Sequence, residues 1–110
     1  MRKALMIVAI NVGASVAAST LQAGDVEAGF TRARTACAEC HVIATGVGRR
    51  VGRSGTDGAP PFATIVNGLK RSESQIKAFL ARPHGRMPDF ILTRREIDDL
   101  AAYILSLRRR

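Results

Sequence analysis

Cys37-Ala38-Glu39-Cys40-His41 is the feature that most restricts what this chain can fold into. These five residues hold both cysteines and one of the two histidines of a 110-residue chain. The fold must therefore present two sulfurs and an imidazole from one short segment. Ligand-bearing chemistry is concentrated there and nearly absent elsewhere. Four readings are open: covalent haem attachment, half a zinc site, a redox dithiol, or a structural accident.

A structural zinc site needs four ligands. Outside the first 23 residues, Cys37, Cys40, His41 and His84 just suffice. His41 follows Cys40 directly, however, which is awkward for closing one tetrahedron with Cys37. A thioredoxin-like dithiol expects a βαβ context, and no strands are evident to supply it. A disulfide across two residues closes a tiny loop, stabilises little and leaves His41 unexplained. Haem attachment accounts for every part: two thiols for two thioethers, and the next residue placing an imidazole toward the iron. The cofactor is then one covalently attached haem c, with His41 as an axial ligand. Met87 is the candidate for the sixth position, because Met1 and Met6 lie in the leader. A thioether is a soft ligand that raises the reduction potential. Met87 as a core gap-filler and His84 as a rival ligand are the competing readings.

Residues 1–23 read as a secretory signal peptide. Arg2 and Lys3 start it, an apolar stretch runs from Ala4 to about Ala18, and small residues lead to Ala23. The run is short for a membrane span. Cleavage after Ala23 is expected, with Ala18 the alternative. The expected location is the periplasm, with no membrane span left after cleavage. The expected domain is 24–110.

Net charge is +8, and removing Arg2 and Lys3 leaves 15 basic against 9 acidic residues, or +6. An export signal and the absence of a basic amphipathic helix argue against nucleic acid. The charge is better suited to steering acidic redox partners, beside the plain alternative of a surface kept soluble. With no Trp, one Tyr and four Phe, the side chains alone make a thin core. A large flat cofactor would fill it.

The pattern along 24–110 predicts an all-α domain of four or so short helices and long loops. Asp25 can cap a first helix through the "GDVEAGFTRARTA" segment. Residues 45–61 carry five glycines and two prolines and read as loop. "PFATIVNG" reads as a short helix with Pro61 at its first position and Gly68 at its exit. Ser72 with Gln75, and Thr93 with Glu96, form capping boxes. Ile76, Phe79 and Leu80 make one apolar face. Ile97, Leu100, Ala101, Ile104 and Leu107 make another.

On "GDVEAG", "CAECH", "APPF", the "MP" of the late loop and "EIDDLAAYILSL", residues 24–110 resemble class I c-type cytochromes. The resemblance implies the cytochrome c fold wrapped around one haem. It implies Cys37 and Cys40 as thioether anchors, and His41 and Met87 as axial iron ligands. It further implies that the Pro60 carbonyl accepts the Nδ1–H of His41. Gly29 would let the first helix cross the last near Leu100 and Tyr103. Tyr103 is read as a core residue with its hydroxyl at the rim. Three positions depart from the pattern: Ala33 where a large apolar residue is common, Ala59 where glycine usually precedes the proline, and the absent tryptophan. The implied function is one-electron carriage between redox proteins by a monomer, with no catalysis of its own. A haem-bearing subunit of a larger exported oxidoreductase is the alternative, and Phe62, Phe90 and Ile91 are candidates for its apolar contact stripe. A ligand sensor or peroxidase with Met87 off the iron is a third class. Arg32, Arg34, Arg49, Arg50, Arg53 and Arg86 are candidates for a cationic ring at the haem edge.

Overall fold

The computed structural model describes Gly13 and residues 22–46, 49–53, 58–82 and 85–110. Nearly all of the expected signal peptide, and His84, lie outside the described residues. The elements run α1 (Val26–Ala36), β1 (Ala44–Gly46), β2 (Arg49–Val51), α2 (Phe62–Asn67), α3 (Glu73–Leu80) and α4 (Arg94–Ser106).

Each helix start follows from local chemistry. The Asp25 carboxylate accepts from Ala28 N at 2.9 Å and caps α1. At α3, Ser72 N donates to Gln75 Oε1 (2.9 Å) while Gln75 N donates to Ser72 Oγ (3.3 Å). At α4, Thr93 N donates to Glu96 Oε2 (2.8 Å) and Glu96 N to Thr93 Oγ1 (3.2 Å). Both capping boxes satisfy backbone groups that helix ends otherwise leave unpaired. Pro61 stands one position earlier than expected. It flanks α2 as its N-cap, at φ −55° and ψ 143°, and Phe62 is the first helical residue. Gly68 does end α2, but at φ −82°; the left-handed residue is Lys70, φ 51°.

The glycine-rich stretch is not loop throughout. β1 and β2 form an antiparallel hairpin in the register Ala44↔Val51, Thr45↔Arg50, Gly46↔Arg49. Three residues per strand are too few to show an alternating pattern in sequence. The hairpin closes against the histidine segment: Ile43 N donates to Val51 O at 2.9 Å. Gly52 follows at φ +98°, where a β-carbon would collide with the carbonyl of His41.

α1 lies across α4, and the crossing needs Gly29. A β-carbon there would strike the Asp99 backbone and come within 2.7 Å of Tyr103 Cβ. Ala33 is fully buried at this crossing, so the small residue is accommodated rather than left over a gap at the surface. Phe30 packs its ring 5.3 Å from that of Tyr103. The carboxylate of Asp99, buried with the crossing, accepts from Asp25 N (2.7 Å) and faces Arg95 Nε (3.1 Å). A buried charge is tolerable here because both its oxygens are engaged. The core is completed by Ile43, Phe62, Val66, Ile76, Leu100, Ala101 and Ile104. Fully burying a side chain such as Ile43 or Leu100 contributes about 1.5–3 kcal/mol. The α4 face expected from the sequence is the buried one, with Ile97 and Leu107 at its margins. The architecture is all-α apart from the hairpin.

Candidate haem site

α1 ends at Cys37, and the ligand-rich segment turns directly off it. Cys37 N donates to Ala33 O (2.8 Å), Cys40 N to Cys37 O (3.2 Å) and His41 N to Cys37 O (2.9 Å). Two successive turns thus bring both sulfurs and the imidazole onto one wall. Cys37 is buried and Cys40 exposed. Burial raises the Cys37 thiol to about 11, with Arg32 working weakly against it, so Cys37 is a neutral thiol at physiological pH.

His41 is 9% exposed. Its Nδ1 lies 2.7 Å from the carbonyl oxygen of Pro60. A carbonyl can only accept, so Nδ1 carries the hydrogen and Nε2 keeps its lone pair. The imidazole is thereby held in the tautomer a metal ligand requires. Its ring also packs 5.2 Å from that of Phe62. Behind it, the Tyr103 hydroxyl donates to Ile43 O at 2.8 Å. That hydroxyl is buried rather than at the rim, and burial raises the phenol above its ordinary 10.0.

Two adjoining cavities share this wall, of about 190 and about 630 Å³. Cys37, His41, Pro60, Phe79 and Met87 line both, so they are two parts of one cleft. Phe62, Ile65, Ile76, Leu100 and Ile104 make the smaller part apolar. Cys40, Ala59, Arg86 and Phe90 line the larger. Met87, half-buried, reaches the cleft from the segment between α3 and α4. The structure therefore brings Cys37, Cys40, His41, Pro60 and Met87 to one cleft. An apolar slot with a fixed imidazole on its wall suits a flat macrocycle that carries a metal.

Phe62 is 4% exposed and walls the cleft, so it is no part of an exposed stripe; Phe90 (37%) and Ile91 (94%) are exposed. Of the expected cationic ring, Arg86 lines the cleft, whereas Arg32, Arg34 and Arg53 do not. Arg32 Nε stands 3.2 Å from Glu96 Oε1 without making a hydrogen bond, an attraction of charges only. Arg34 lies over the Phe30 ring and Arg53 beside Glu39. Sequence reasoning missed Phe79, Arg71 and Gln75 as lining residues. Phe79 belongs to an apolar helical stripe that suggests core, yet it is 57% exposed and faces the cleft. Arg71 and Gln75 carry no motif.

Residues 24–104 match the family model described as cytochrome C oxidase, cbb3-type, subunit III. The chain is 38% identical over 90 residues to cytochrome c-552 of Bradyrhizobium diazoefficiens, covering 82% of each chain. No solved structure matches.

Proposed function

Because the chain belongs to the c-type cytochromes, as a small monohaem class I member carrying covalently bound haem c, we propose that it is an exported one-electron carrier with His/Met-ligated iron. In this reading residues 1–23 are the cleaved leader, 24–110 the periplasmic domain, and the working form a monomer. Cys37 and Cys40 supply the thiols for two thioethers. His41 Nε2 and the Met87 thioether would hold the iron. When bound, the haem supplies an iron that accepts and returns one electron.

The observation that carries this reading is the 2.7 Å contact from His41 Nδ1 to Pro60 O. It fixes the tautomer and ring direction before any metal is present. Phe62 and the buried Ile43 segment keep water from the same ring. With His41 and Met87 both holding the iron, no position would be left for substrate, which favours electron carriage over catalysis. Met87 approaches on a segment that Pro88 keeps from becoming helical.

Exposed Phe90 and Ile91, next to Met87, favour a second reading: a haem subunit with one permanent partner. The matching family model bears the name of an oxidase subunit. Size-exclusion chromatography of the native extract separates the two. A lone small haem protein supports the carrier, and co-elution with an oxidoreductase supports the subunit.

The ligand assignment is tested by co-expression with a haem-maturation system and optical spectra of parent and Met87→Ala. The parent should give a c-type reduced spectrum and the weak long-wavelength band of thioether-to-ferric-iron charge transfer. Met87→Ala should lose that band and bind CO when reduced. A parent without the band moves the sixth position to His84 or leaves it open.

A further inference from the structure

Three cations outside the proposed ring share one groove. Lys70, Arg108 and Arg109 line a groove of about 620 Å³ between the end of α2 and the end of α4. Glu73 is the carboxylate in its wall, and Lys77 already holds it at 2.6 Å. Among the described residues no acidic side chain pairs with the three cations.

Like charges repel, so gathering them needs a device, and the structure has one. Asn67 clamps the chain end from both sides of its amide: Nδ2 donates to Leu107 O (3.0 Å) and Oδ1 accepts from Arg109 N (2.8 Å). Arg108 Nη2 donates to Arg71 O at 3.1 Å, tying the end of α4 to the α2–α3 connection. The Arg108 side chain and the Arg109 backbone are therefore held by the fold.

The groove also shares a wall with the haem cleft. Leu69 and Arg71 line the cleft, while Lys70 between them lines the groove. Lys70 sits at φ 51°, a left-handed conformation that a β-carbon disfavours. Consecutive residues thus line two different hollows.

We propose that this groove docks an acidic segment of the protein with which the chain exchanges electrons; the proposal rests on the carrier reading above. Charge complementarity selects the occupant. Concavity selects a protein over a bilayer, because Val66 and Leu105 also line the groove and a side chain can enter it where a flat headgroup surface cannot. A partner seated there meets Lys70, whose neighbours Leu69 and Arg71 line the cleft.

The test uses the haem-loaded protein and a hexaglutamate peptide at low ionic strength, followed by amide chemical shifts of the reduced form. The largest shifts are expected in 66–71 and 105–110. The variant Lys70→Gln/Arg108→Gln/Arg109→Gln should weaken binding at least tenfold. Arg34→Gln/Arg53→Gln/Arg94→Gln should stay within about threefold of the parent, since its charges line neither the groove nor the cleft. Shifts centred on Cys40 and Arg86, loss of binding in the second variant instead of the first, or no binding at all would each overturn the proposal. So would sedimentation with phosphatidylglycerol vesicles, abolished by the first variant, without a response to hexaglutamate. The reduced spectrum of each variant reports haem attachment separately, so a failed haem assignment is not mistaken for a failed groove. If the triple variant does not fold, Arg109→Gln alone with a potassium chloride titration replaces it, and the expected result is a weaker salt dependence.

Discussion

Phe62 and Phe90 line the same cleft from two sides, and their surroundings differ. Phe62 is 4% exposed, wedged between His41 and the core around Tyr103. Phe90 is 37% exposed on the segment that leads from Met87 to α4. On the histidine side every neighbour is held by something else: Pro60 by His41, Ile43 by Tyr103 and Val51, Phe62 N by the carbonyl of Val42. On the methionine side Phe90 N donates to Pro88 O at 3.0 Å, and Phe90 and Ile91 stand exposed. The histidine wall is thus built by the chain itself. The methionine wall is the more exposed of the two, so less of its apolar surface is buried by the chain itself.

Two alanine variants test that asymmetry in the haem-loaded protein. Phe62→Ala removes a buried ring and leaves a cavity beside His41. It should cost about 3–5 kcal/mol in denaturant unfolding. Phe90→Ala removes a ring already partly in water and should cost roughly 1.5 kcal/mol or less. Equal losses would break the comparison, because the methionine wall would then be as well packed as the histidine wall.

How far the sequence made this legible follows the same division. The helices were readable because capping boxes, Asp25 and 3.6-residue periodicity are local signals, and α1, α3 and α4 begin where those signals lie. The cleft was readable at Cys37, Cys40 and His41, because the motif is contiguous. Pro60 was reached through resemblance alone. A carbonyl acceptor has no side-chain signature. The hairpin Ala44–Val51 was missed, its strands being too short for a period. Phe62 was placed outside when it is core, because an aromatic after two prolines gives no hint of what will pack on it. The buried Asp99 was also invisible: its reason is a long-range bond to Asp25 N, and long-range pairing leaves no trace in a local window. Of the arginines expected at the haem edge, Arg32 and Arg53 face acidic neighbours that only the fold brings near.

A smaller effect sharpens the account of the histidine wall. The Tyr103 hydroxyl anchors Ile43, two residues from His41. Tyr103→Phe keeps the ring and leaves the Ile43 carbonyl without that donor, and should cost about 1 kcal/mol. The pH dependence has a definite sign. Burial raises the folded phenol above its ordinary 10.0, so the folded state holds its proton where the unfolded chain begins to release it. Stability is therefore intact below pH 10 and declines as pH rises past it. Unfolding curves of parent and Tyr103→Phe should converge as pH climbs above 10. A constant gap would mean that Tyr103 does not take part in the alkaline loss.

The smallest effect is expected inside the motif itself. Glu39 and Arg53 face each other at 3.8 Å, both largely in solvent. Such a pair sits in high dielectric, spends side-chain entropy and is screened by salt. The same stretch of chain is already joined by a backbone bond, Arg53 N to Ala38 O at 2.9 Å, which needs no charge. Glu39→Gln should therefore change unfolding stability by less than about 0.5 kcal/mol, and the change should vanish in molar salt. A loss above about 1 kcal/mol that salt abolishes would show charge, not backbone, holding the turn to the hairpin. The exposed rim of the histidine wall would then depend on ionic strength, and the contrast with the methionine side would hold only in dilute buffer.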